Sequence, residues 1–399
     1  KLFDDDLSHN AFLLENSLIT YADVNRDVKC LARYFYNNHY SKIMIVAEKS
    51  YMAYCVIWAS YYSGATFCCI NSDIPETRVN EYIASFIPDI IISDRKYLYP
   101  NNILINTIFN EMTRSIRQND MPICAHPNKI IYVLFTSGST GNPKGVAILR
   151  KAFEEVIEWS ITNLTIKKND IVGQFCNIGF DMGLCDVFLA WSVGATLVPL
   201  IGISKSFPGK MIKKYSITSV YAVPTFVDII QKNRDYEKNN LKSVRILGFG
   251  GGSLLPKHLE YINKYAPNTN IYNTYGPTET TLFTSCVMFK SYMYQYYTKD
   301  SVCLGYPLPN VKYSIVENST KGELLISGNH CMAGYLSEQN TIDYSNAQSI
   351  NKYLTGDIVQ IYNNNYFFIS RKDNQTKLHG NRIELDGIDA KISLIGIQS

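Results

Sequence analysis

Residues that could bind phosphate are concentrated in one glycine- and hydroxyl-rich segment. Residues 135–146 read FTSGSTGNPKGV and directly follow the apolar run IIYVL. Small residues let the backbone approach a phosphate closely, peptide N–H groups can point at its oxygens, and Lys144 supplies a positive charge. The segment is not a Walker A motif, in which Lys precedes Ser or Thr, because Gly145 follows Lys144 here. The chemistry predicts a phosphate-binding loop, and a flexible surface loop is the alternative.

Three charged residues in short motifs could complete such a site. Glu279 lies in NTYGPTET, Asp357 in YLTGD and Arg371 in SRKDNQTK. A carboxylate suits Mg²⁺ or sugar hydroxyls, and a guanidinium suits phosphate. Each residue considered alone is more often a solvated loop side chain. Their interpretation as a site therefore depends on the motifs around them.

Taken in chain order, these segments resemble the motifs of the adenylate-forming superfamily. Within it, the closest pattern is that of the amino-acid adenylation domains of nonribosomal peptide synthetases and the D-alanine–carrier-protein ligases. The matching segments are FTSGSTGNPKGV at 135–146, NTYGPTET at 273–280, YLTGD at 353–357, SRKDNQTK at 370–377 and GNRIEL at 380–385. Weaker matches are Thr20-Tyr21, LGYPLP at 304–309, GEL at 322–324 and GYL at 334–336.

The resemblance implies a reaction in two halves. A substrate carboxylate would attack the α-phosphate of ATP to give an acyl-adenylate and pyrophosphate, and the acyl group would then pass to the phosphopantetheine thiol of a carrier protein. Phosphoryl chemistry of this kind depends on positioning and charge neutralisation, so backbone donors, a cation and Mg²⁺ are the parts required. The implied substrates and cofactors are ATP, Mg²⁺ and an amino acid.

The resemblance also assigns roles to the residues that bind the nucleotide. Thr278 would contact the α-phosphate, Glu279 would hold Mg²⁺, Asp357 would accept the ribose hydroxyls, and Arg371 would steady the ribose and phosphates. Tyr275 offers an aromatic face to adenine and Asn273 an amide to its edge. The β- and γ-phosphates would be covered by Thr136, Ser137, Gly138, Ser139, Thr140, Gly141 and Lys144. Of the whole set, Lys144, Thr278, Glu279 and Arg371 would act in catalysis.

Substrate choice is expected to depend on Phe180-Asp181. The resemblance places an Asp here in members that activate amino acids, where it pairs with the substrate ammonium. An N-cap role for Asp181 on the helix MGLCDVFLAWS is the alternative. The rest of the substrate pocket would be formed by Met182, Cys185, Tyr221, Phe249, Gly251, Thr274, Leu282 and Phe283. Since none of these residues is charged, a neutral amino acid is expected, and the bulk of Tyr221, Phe249 and Phe283 favours a small one. Core packing is the alternative for each apolar residue.

Two departures from the family pattern bear on this prediction. Ser253 stands where many relatives, the D-alanine ligases among them, have Glu, and Ser370 replaces the usual Gly before Arg371. The family also continues past a hinge, here matched by Asp373, into a small domain that carries a catalytic Lys. We expect this chain to hold the large N-terminal part (1–373) and only the start of that C-terminal subdomain (374–399).

The elements that must position these residues follow from the apolar pattern. Short apolar runs such as 43–47, 90–93, 130–135, 219–223, 244–249 and 270–275 alternate with helix-length segments, which indicates βαβ units with parallel strands. Two charge-free runs, 51–72 and 187–204, each contain a Gly-Ala turn and are predicted to fold as helix, turn and buried strand. From about 288 the pattern changes to short alternating strands.

The predicted fold class is therefore α/β. The family fold implies two doubly wound α/β subdomains packed together, here about 1–287, and a smaller distorted β-barrel subdomain, here about 288–373. Residues 374–385 are predicted to form a β-hairpin.

Composition excludes several function classes. The chain has 399 residues, and 38 Lys and Arg against 35 Asp and Glu give a net charge of +3, so no nucleic-acid partner is expected. The start, KLFDDDLSHN, is acidic and leads into no apolar segment, which argues against a signal peptide and for a cytoplasmic protein without a membrane partner. The ten cysteines contain no CxxC pair, so reduced thiols are expected instead of a zinc site.

Two other functions remain possible from sequence. An acyl- or aryl-CoA ligase of the same superfamily would not need Asp181. A degenerate ATP-binding module without catalysis would be favoured if the full-length protein exchanged pyrophosphate with no amino acid.

Overall fold

The chain divides into two compact units. The structure, a computed structural model, describes residues 7–15, 17–112, 129–137, 143–317, 320–336, 342–343, 351–378, 381–385 and 388. Unit 1 comprises 1–134, 147–201 and 336–342, and unit 2 comprises 135–146, 202–335 and 343–399. Among the described residues, no helix combines the length and hydrophobicity needed to span a membrane.

Unit 1 is built mainly from parallel strands and helices that alternate along the chain. Its helices are α1 (Tyr21–Asn37), α2 (Tyr51–Ser63), α3 (Glu76–Phe86), α4 (Ile105–Met112), α5 (Arg150–Asn163) and α6 (Asp181–Ser192). Its strands are β1 (Asn10–Leu14), β2 (Ser17–Thr20), β3 (Lys42–Val46), β4 (Thr66–Ile70), β5 (Ile90–Ser93), β6 (Asn102–Leu104), β7 (Ile130–Thr136), β8 (Lys144–Leu149), β9 (Ile171–Gln174) and β10 (Thr196–Pro199), of which β7 and β8 cross the boundary between the units.

Two sheets organise unit 1. One runs β7-β4-β3-β5-β6 with all pairs parallel, and the other runs β9-β10-β1-β2, in which only β1 and β2 are antiparallel. Parallel strands are usually covered on both faces and therefore need continuous buried runs. Every residue of β4 and of β10 is buried. The α/β class predicted from the sequence is confirmed.

Both charge-free runs fold as helix, glycine turn and strand, as predicted. In the first, the Ser50 side chain accepts a hydrogen bond from the Ala53 N–H and caps α2, and Gly64 ends the helix with a left-handed φ of 75°. A residue with a Cβ is unfavourable in that conformation, so glycine is the natural stop. In the second, α6 is followed by Gly194 with φ 78° and then by β10.

An aromatic cluster fills the core of unit 1 where α2 meets α6. The ring centroids of Trp58 and Phe188 lie 4.4 Å apart, and those of Trp58 and Trp191 lie 6.3 Å apart. Both indoles are almost fully buried. Burial of each large side chain stabilises the fold by roughly 1.5–3 kcal/mol, so this cluster fixes the position of α6 in unit 1.

Unit 2 contains a mixed sheet, an antiparallel sheet and a terminal hairpin. Its helices are α7 (Pro208–Tyr215), α8 (Thr225–Lys232) and α9 (Pro256–Tyr265). Its strands are β11 (Ser219–Ala222), β12 (Ile246–Phe249), β13 (Asn270–Tyr275), β14 (Ser285–Lys290), β15 (Tyr306–Pro307), β16 (Val311–Val316), β17 (Lys321–Gly328), β18 (Gly334–Leu336), β19 (Ile342–Asp343), β20 (Lys352–Tyr362), β21 (Asn365–Arg371), β22 (Gln375–Leu378) and β23 (Asn381–Glu384), with β18 and β19 crossing the boundary between the units.

In unit 2 the change of sheet lies later than the change of pattern at about 288, because β14 and β15 still belong to the mixed sheet and the separate antiparallel sheet begins at Val311. Strands β11, β12 and β13 are parallel, and β14 and β15 join them antiparallel. Strands β16, β17, β20 and β21 form a separate antiparallel sheet with β-bulges in β17–β20 and β20–β21. The hairpin predicted for 374–385 is present as the antiparallel pair β22–β23.

Candidate active site

The two ends of the predicted phosphate-binding segment lie next to each other in unit 2. Thr136 ends β7 and Lys144 begins β8, and the Thr136 hydroxyl donates a long hydrogen bond of 3.5 Å to the Lys144 carbonyl oxygen. Thr136 and Ser137 are half-buried, whereas Lys144 is exposed. Gly138, Ser139, Thr140 and Gly141 lie outside the described residues. The described ends leave the Lys144 ammonium accessible to an anion.

Glu279 is fully buried and lies next to Tyr335. The Tyr335 hydroxyl donates a hydrogen bond of 3.0 Å to Glu279 Oε1, and the Lys144 Nζ lies 5.7 Å from the centroid of the Tyr335 ring. A buried carboxylate is stable only with hydrogen bonds or an opposite charge. Lys144, the predicted phosphate-binding cation, and Glu279, the predicted metal-binding carboxylate, are thus both in contact with Tyr335. In the sequence, Tyr335 belongs only to the weak GYL match.

The turn that carries Glu279 is held in an unusual conformation. A short 3₁₀ turn, Thr278–Thr280, is followed by Thr281 and Leu282, each with a φ of 61°. Left-handed conformations are unfavourable for such residues and persist only where neighbours enforce them. Here the Thr281 hydroxyl donates to the His330 carbonyl oxygen at 2.7 Å, and the Met332 N–H donates to the Glu279 carbonyl oxygen at 2.8 Å.

Tyr275 and Asp357 are brought together from separate sheets of unit 2. The Tyr275 hydroxyl, at the end of β13, donates to Asp357 Oδ2 at 2.5 Å, and Asp357 is buried within β20. Burial and the charge of Asp357 raise the pKa of Tyr275 well above its ordinary value, so the phenol stays protonated as a donor. A carboxylate has about four acceptor positions, so Asp357 keeps capacity for a further hydroxyl.

Arg371 joins Asp357 to Asp373, the residue predicted to be the hinge. Its Nη1 donates to Asp357 Oδ1 at 2.8 Å and to the Thr355 carbonyl oxygen, while its Nε and Nη2 form a bidentate pair with the two oxygens of Asp373. Burial alone would lower the pKa of Arg371, but the hydrogen bonds to Asp373 and the nearby charges raise it. The guanidinium is therefore a fixed cation beside Asp357.

Glu323 is a buried residue that contacts both β20, which carries Asp357, and the residue directly after β21, which ends at Arg371. Its Oε1 accepts the Gly356 N–H at 2.9 Å, and its Oε2 accepts a hydrogen bond from Lys372 Nζ at 3.0 Å. Gly356 has a φ of 72°, and a Cβ there would lie 2.6 Å from Arg371 Nη2. Glu323 thus anchors the bend next to Asp357. The sequence contained only the weak GEL match for it.

Asn273 is buried, and its side chain already has a partner within unit 2. Its Nδ2 donates to the Cys303 carbonyl oxygen at 2.8 Å. The amide that the sequence assigned to adenine therefore binds a neighbouring segment in this structure. The predicted nucleotide residues that come together in unit 2 are Lys144 and Glu279, through Tyr335, and Tyr275, Asp357 and Arg371.

Several predicted substrate residues of unit 2 lie on adjacent strands. The Tyr221 hydroxyl on β11 is hydrogen-bonded to Thr274 Oγ1 on β13, and Thr274 Oγ1 donates to the Phe249 carbonyl oxygen on β12 at 3.0 Å. Gly251 follows β12 with a φ of 71°. Phe249, Leu282 and Phe283 are buried.

The remaining predicted substrate residues lie in unit 1 around the start of α6. Phe180 is 43% exposed, Asp181 is half-buried, and Met182 and Cys185 are buried. The N-cap alternative for Asp181 is wrong, because α6 begins at Asp181 with Phe180 at the cap, and Asp181 Oδ1 accepts the N–H of Met182 at 2.8 Å. A carboxylate in the first turn is still favoured by the helix dipole.

Buried polar groups fix the segment that leads into α6. Lys49 is almost fully buried, and its Nζ donates to the carbonyl oxygens of Gln174 and Phe175 at 2.9 and 3.0 Å. The Gln174 Nε2 donates to the Gly183 carbonyl oxygen at 2.9 Å. Burial raises the pKa of Asp186 well above its ordinary value, partly offset by the charge of Lys49. The strand end and the first turn of α6 are therefore tied together.

Comparison with known proteins identifies relatives over nearly the whole chain. Residues 6–336 match the family model described as AMP-binding enzyme. Gramicidin S synthase 1 of Brevibacillus brevis is 28% identical over an alignment of 420 positions, gaps included, which covers 98% of this chain and 37% of that protein. A D-alanine–D-alanyl carrier protein ligase of Listeria monocytogenes is 27% identical over an alignment of 383 positions, which covers 90% of this chain and 72% of that protein.

Solved structures share the fold. The Vibrio cholerae adenylation domain AlmE, in complex with glycyl-adenosine-5'-phosphate, superposes with a TM-score of 0.84 at 22% identity, covering 98% of this chain and 81% of that one. NpsA–ThdA from Klebsiella oxytoca, an artificially fused adenylation–PCP di-domain, gives 0.81 at 22% identity, covering 97% and 80%. The chain spans little more than a third of the synthase and most of each solved chain.

Proposed function

Because this chain belongs to the family of AMP-binding enzymes, we propose that it activates an amino acid as its aminoacyl-adenylate, with ATP as the second substrate and pyrophosphate as the product. The observation that carries the proposal is the grouping within unit 2. There, Asp357 lies between Tyr275 and Arg371, and Tyr335 contacts both Lys144 and Glu279. These are the groups that nucleotide binding requires.

Each group has a distinct part in the proposed reaction. Asp357 accepts the ribose hydroxyls through its remaining acceptor positions, and Arg371 offers a permanent positive charge on the side of the ribose and phosphates. Thr278 and Lys144 offer a hydroxyl and an ammonium to the phosphates. With these groups in place, the α-phosphate is held for in-line attack by the substrate carboxylate, with pyrophosphate as the leaving group.

Mg²⁺ fits the carboxylate of Glu279. This ion is usually held by one or two protein carboxylates together with phosphate oxygens, and Glu279 is a buried carboxylate whose Oε1 accepts the Tyr335 hydroxyl. When bound, the ion would neutralise charge on the phosphates. Glu279 itself would orient the ion relative to the phosphates.

We propose Asp181 as the group that binds the substrate ammonium. Its carboxylate lies in the first turn of α6, on a segment fixed by Lys49 and Gln174. The other predicted substrate residues carry no charge, which supports a neutral amino acid, and the bulk of Tyr221, Phe249 and Phe283 supports a small one. The relative that joins D-alanine to a carrier protein supports a carrier-protein thiol as the acceptor of the activated amino acid.

We further propose that Asp373 separates the large part of the chain from a second subdomain. Both carboxylate oxygens of Asp373 accept hydrogen bonds from Arg371, and the hairpin β22–β23 starts two residues later. The segment from 374 would then belong to the subdomain that rotates between the two halves of the reaction.

The test is amino-acid-dependent exchange of labelled pyrophosphate into ATP by the full-length protein, over the proteinogenic amino acids and D-alanine. Asp181→Ala should lower kcat/KM for the preferred amino acid by about 10- to 100-fold, since a charge-assisted hydrogen bond is lost. Asp73→Ala, at an exposed position of unit 1, should leave this kcat/KM unchanged.

Other outcomes would redirect the assignment. Exchange supported only by carboxylic acids that lack an amine would favour an acyl- or aryl-CoA ligase. No exchange with any acid, together with retained ATP binding, would favour a non-catalytic nucleotide-binding module.

A further inference from the structure

Tyr335 lies between two residues of opposite charge in unit 2. Its hydroxyl donates to Glu279 Oε1 at 3.0 Å, and the face of its ring lies 5.7 Å from the Lys144 ammonium. The phenol ring is rigid, so the hydroxyl and the ring face keep a fixed geometry relative to each other. One side chain therefore contacts both charged groups.

The two contacts differ in kind. The hydroxyl is a neutral donor that stabilises the buried Glu279 carboxylate without cancelling its charge. The ring face attracts the Lys144 ammonium through its quadrupole without cancelling that charge either. Because neither contact neutralises its partner, the carboxylate keeps its affinity for a cation and the ammonium keeps its affinity for phosphate.

We propose that Tyr335 is a positioning residue that holds Glu279 for Mg²⁺ and Lys144 for the phosphates of ATP, each through a separate part of its side chain. The inference rests on the proposed function and deepens it by assigning a role to a residue outside the predicted set. Its specific consequence is that the two contacts affect two measurable affinities. The hydroxyl governs the gain in ATP affinity that Mg²⁺ provides, and the ring governs ATP affinity in the absence of Mg²⁺.

The experiment measures the dissociation constant of ATP by calorimetry, with the full-length protein, once in EDTA and once in excess Mg²⁺. Tyr335→Phe keeps the ring and removes the hydroxyl. It should raise the dissociation constant of ATP in Mg²⁺ by about fivefold or more and leave the dissociation constant in EDTA within about twofold of wild type. Tyr335→Leu removes both contacts and should also weaken ATP in EDTA by about two- to fivefold. Tyr306→Phe, at an exposed position of the same unit, should match wild type in both media.

The outcomes separate this inference from the proposed function. Wild-type values for Tyr335→Phe in both media, or an equal loss in both media, would overturn the role of Tyr335 while ATP binding by the wild type stood. A wild type that binds no ATP in either medium would overturn the proposed function and this inference together. Thermal melting of each variant shows whether a loss reflects unfolding.

Discussion

At the residue scale, the carboxylate of Glu323 connects two strands that each carry a predicted nucleotide contact. It accepts the N–H of Gly356, next to Asp357 on β20, and the ammonium of Lys372, next to Arg371 at the end of β21. Glu323 is buried, so loss of its oxygens leaves the Gly356 N–H without this acceptor. The cost of leaving a buried donor unsatisfied is about 1–3 kcal/mol.

We therefore expect Glu323→Ala to lower the free energy of unfolding by about 1–3 kcal/mol and to weaken ATP binding severalfold. Glu323→Gln keeps a carbonyl oxygen for the Gly356 N–H, so it should lose less stability and less ATP affinity than Glu323→Ala. Lys372→Met removes the half-exposed ammonium from Glu323 and from the exposed Glu317 but keeps the Gly356 contact, so it should lose less than Glu323→Ala. Denaturant unfolding and ATP calorimetry measure the two effects, and wild-type ATP affinity in Glu323→Ala would contradict the positioning argument.

Some residues of the site could be predicted from sequence and others could not. Glu279, Asp357 and Arg371 were identified because the motifs surround them with a distinctive local pattern. Glu323 and Tyr335 act through hydrogen bonds to residues far away along the chain, and such contacts leave no local pattern. The Asn273 amide illustrates the same limit, because its bond to the Cys303 carbonyl oxygen depends on how β13 packs against a distant segment.

At the element scale, the start of α6 leaves no room for a larger residue at Gly183. A Cβ at Gly183 would lie 2.1 Å from the Asn177 carbonyl oxygen, whereas one at Gly179 would lie no closer than 3.5 Å to its neighbours. Real Cβ contacts do not approach 2.1 Å, so the first turn of α6 would have to move. That turn carries Asp181.

Gly183→Ala should therefore raise the KM for the amino acid and lower the melting temperature, whereas Gly179→Ala should change neither appreciably. Overpacking of this kind typically costs about 1–3 kcal/mol. Pyrophosphate exchange and thermal unfolding test the pair. Equal behaviour of the two variants would mean that the turn adjusts without moving Asp181.

Elements were predicted most reliably where one physical requirement dominated. The two helix–glycine–strand segments follow from unbroken apolar runs with a left-handed glycine at the turn, as at Gly64 and Gly194. The start of α6 was misplaced by one residue, because Asp is favoured both at the cap and in the first turn. The short apolar sequence of β14 does not indicate that it pairs antiparallel with β13, because the pairing direction depends on the segment that connects the two strands.

At the scale of the whole molecule, the thiols are protected by burial. Of the nine cysteines among the described residues, only Cys30 and Cys176 are not buried. Desolvation raises the pKa of both Cys303 and Cys331 to about 11, and raises that of Cys55, Cys69 and Cys185 well above the ordinary value. Thiolate, the reactive form, is therefore scarce at neutral pH.

Alkylation of the native protein at pH 7.5, read by mass spectrometry, should modify Cys30 and Cys176 well before the other described cysteines. Since a raised pKa means less thiolate at a given pH, the buried thiols should remain unmodified even at pH 9 while the fold is intact. All should react in denaturant. Early modification of Cys55 or Cys185 in native protein would contradict the burial of α2 and α6.

The aromatic cluster of α2 and α6 also gives the molecule an optical asymmetry. The chain has three tryptophans, Trp58, Trp159 and Trp191, and all lie within the ranges of unit 1. Indole emission excited selectively therefore reports the environment of unit 1, whereas the tyrosines around Asp357 and Glu279 report unit 2 only by absorbance or shorter-wavelength emission. A single fluorescence trace of unfolding follows one half of the protein, and a second chromophore is needed to see the half that carries the nucleotide residues.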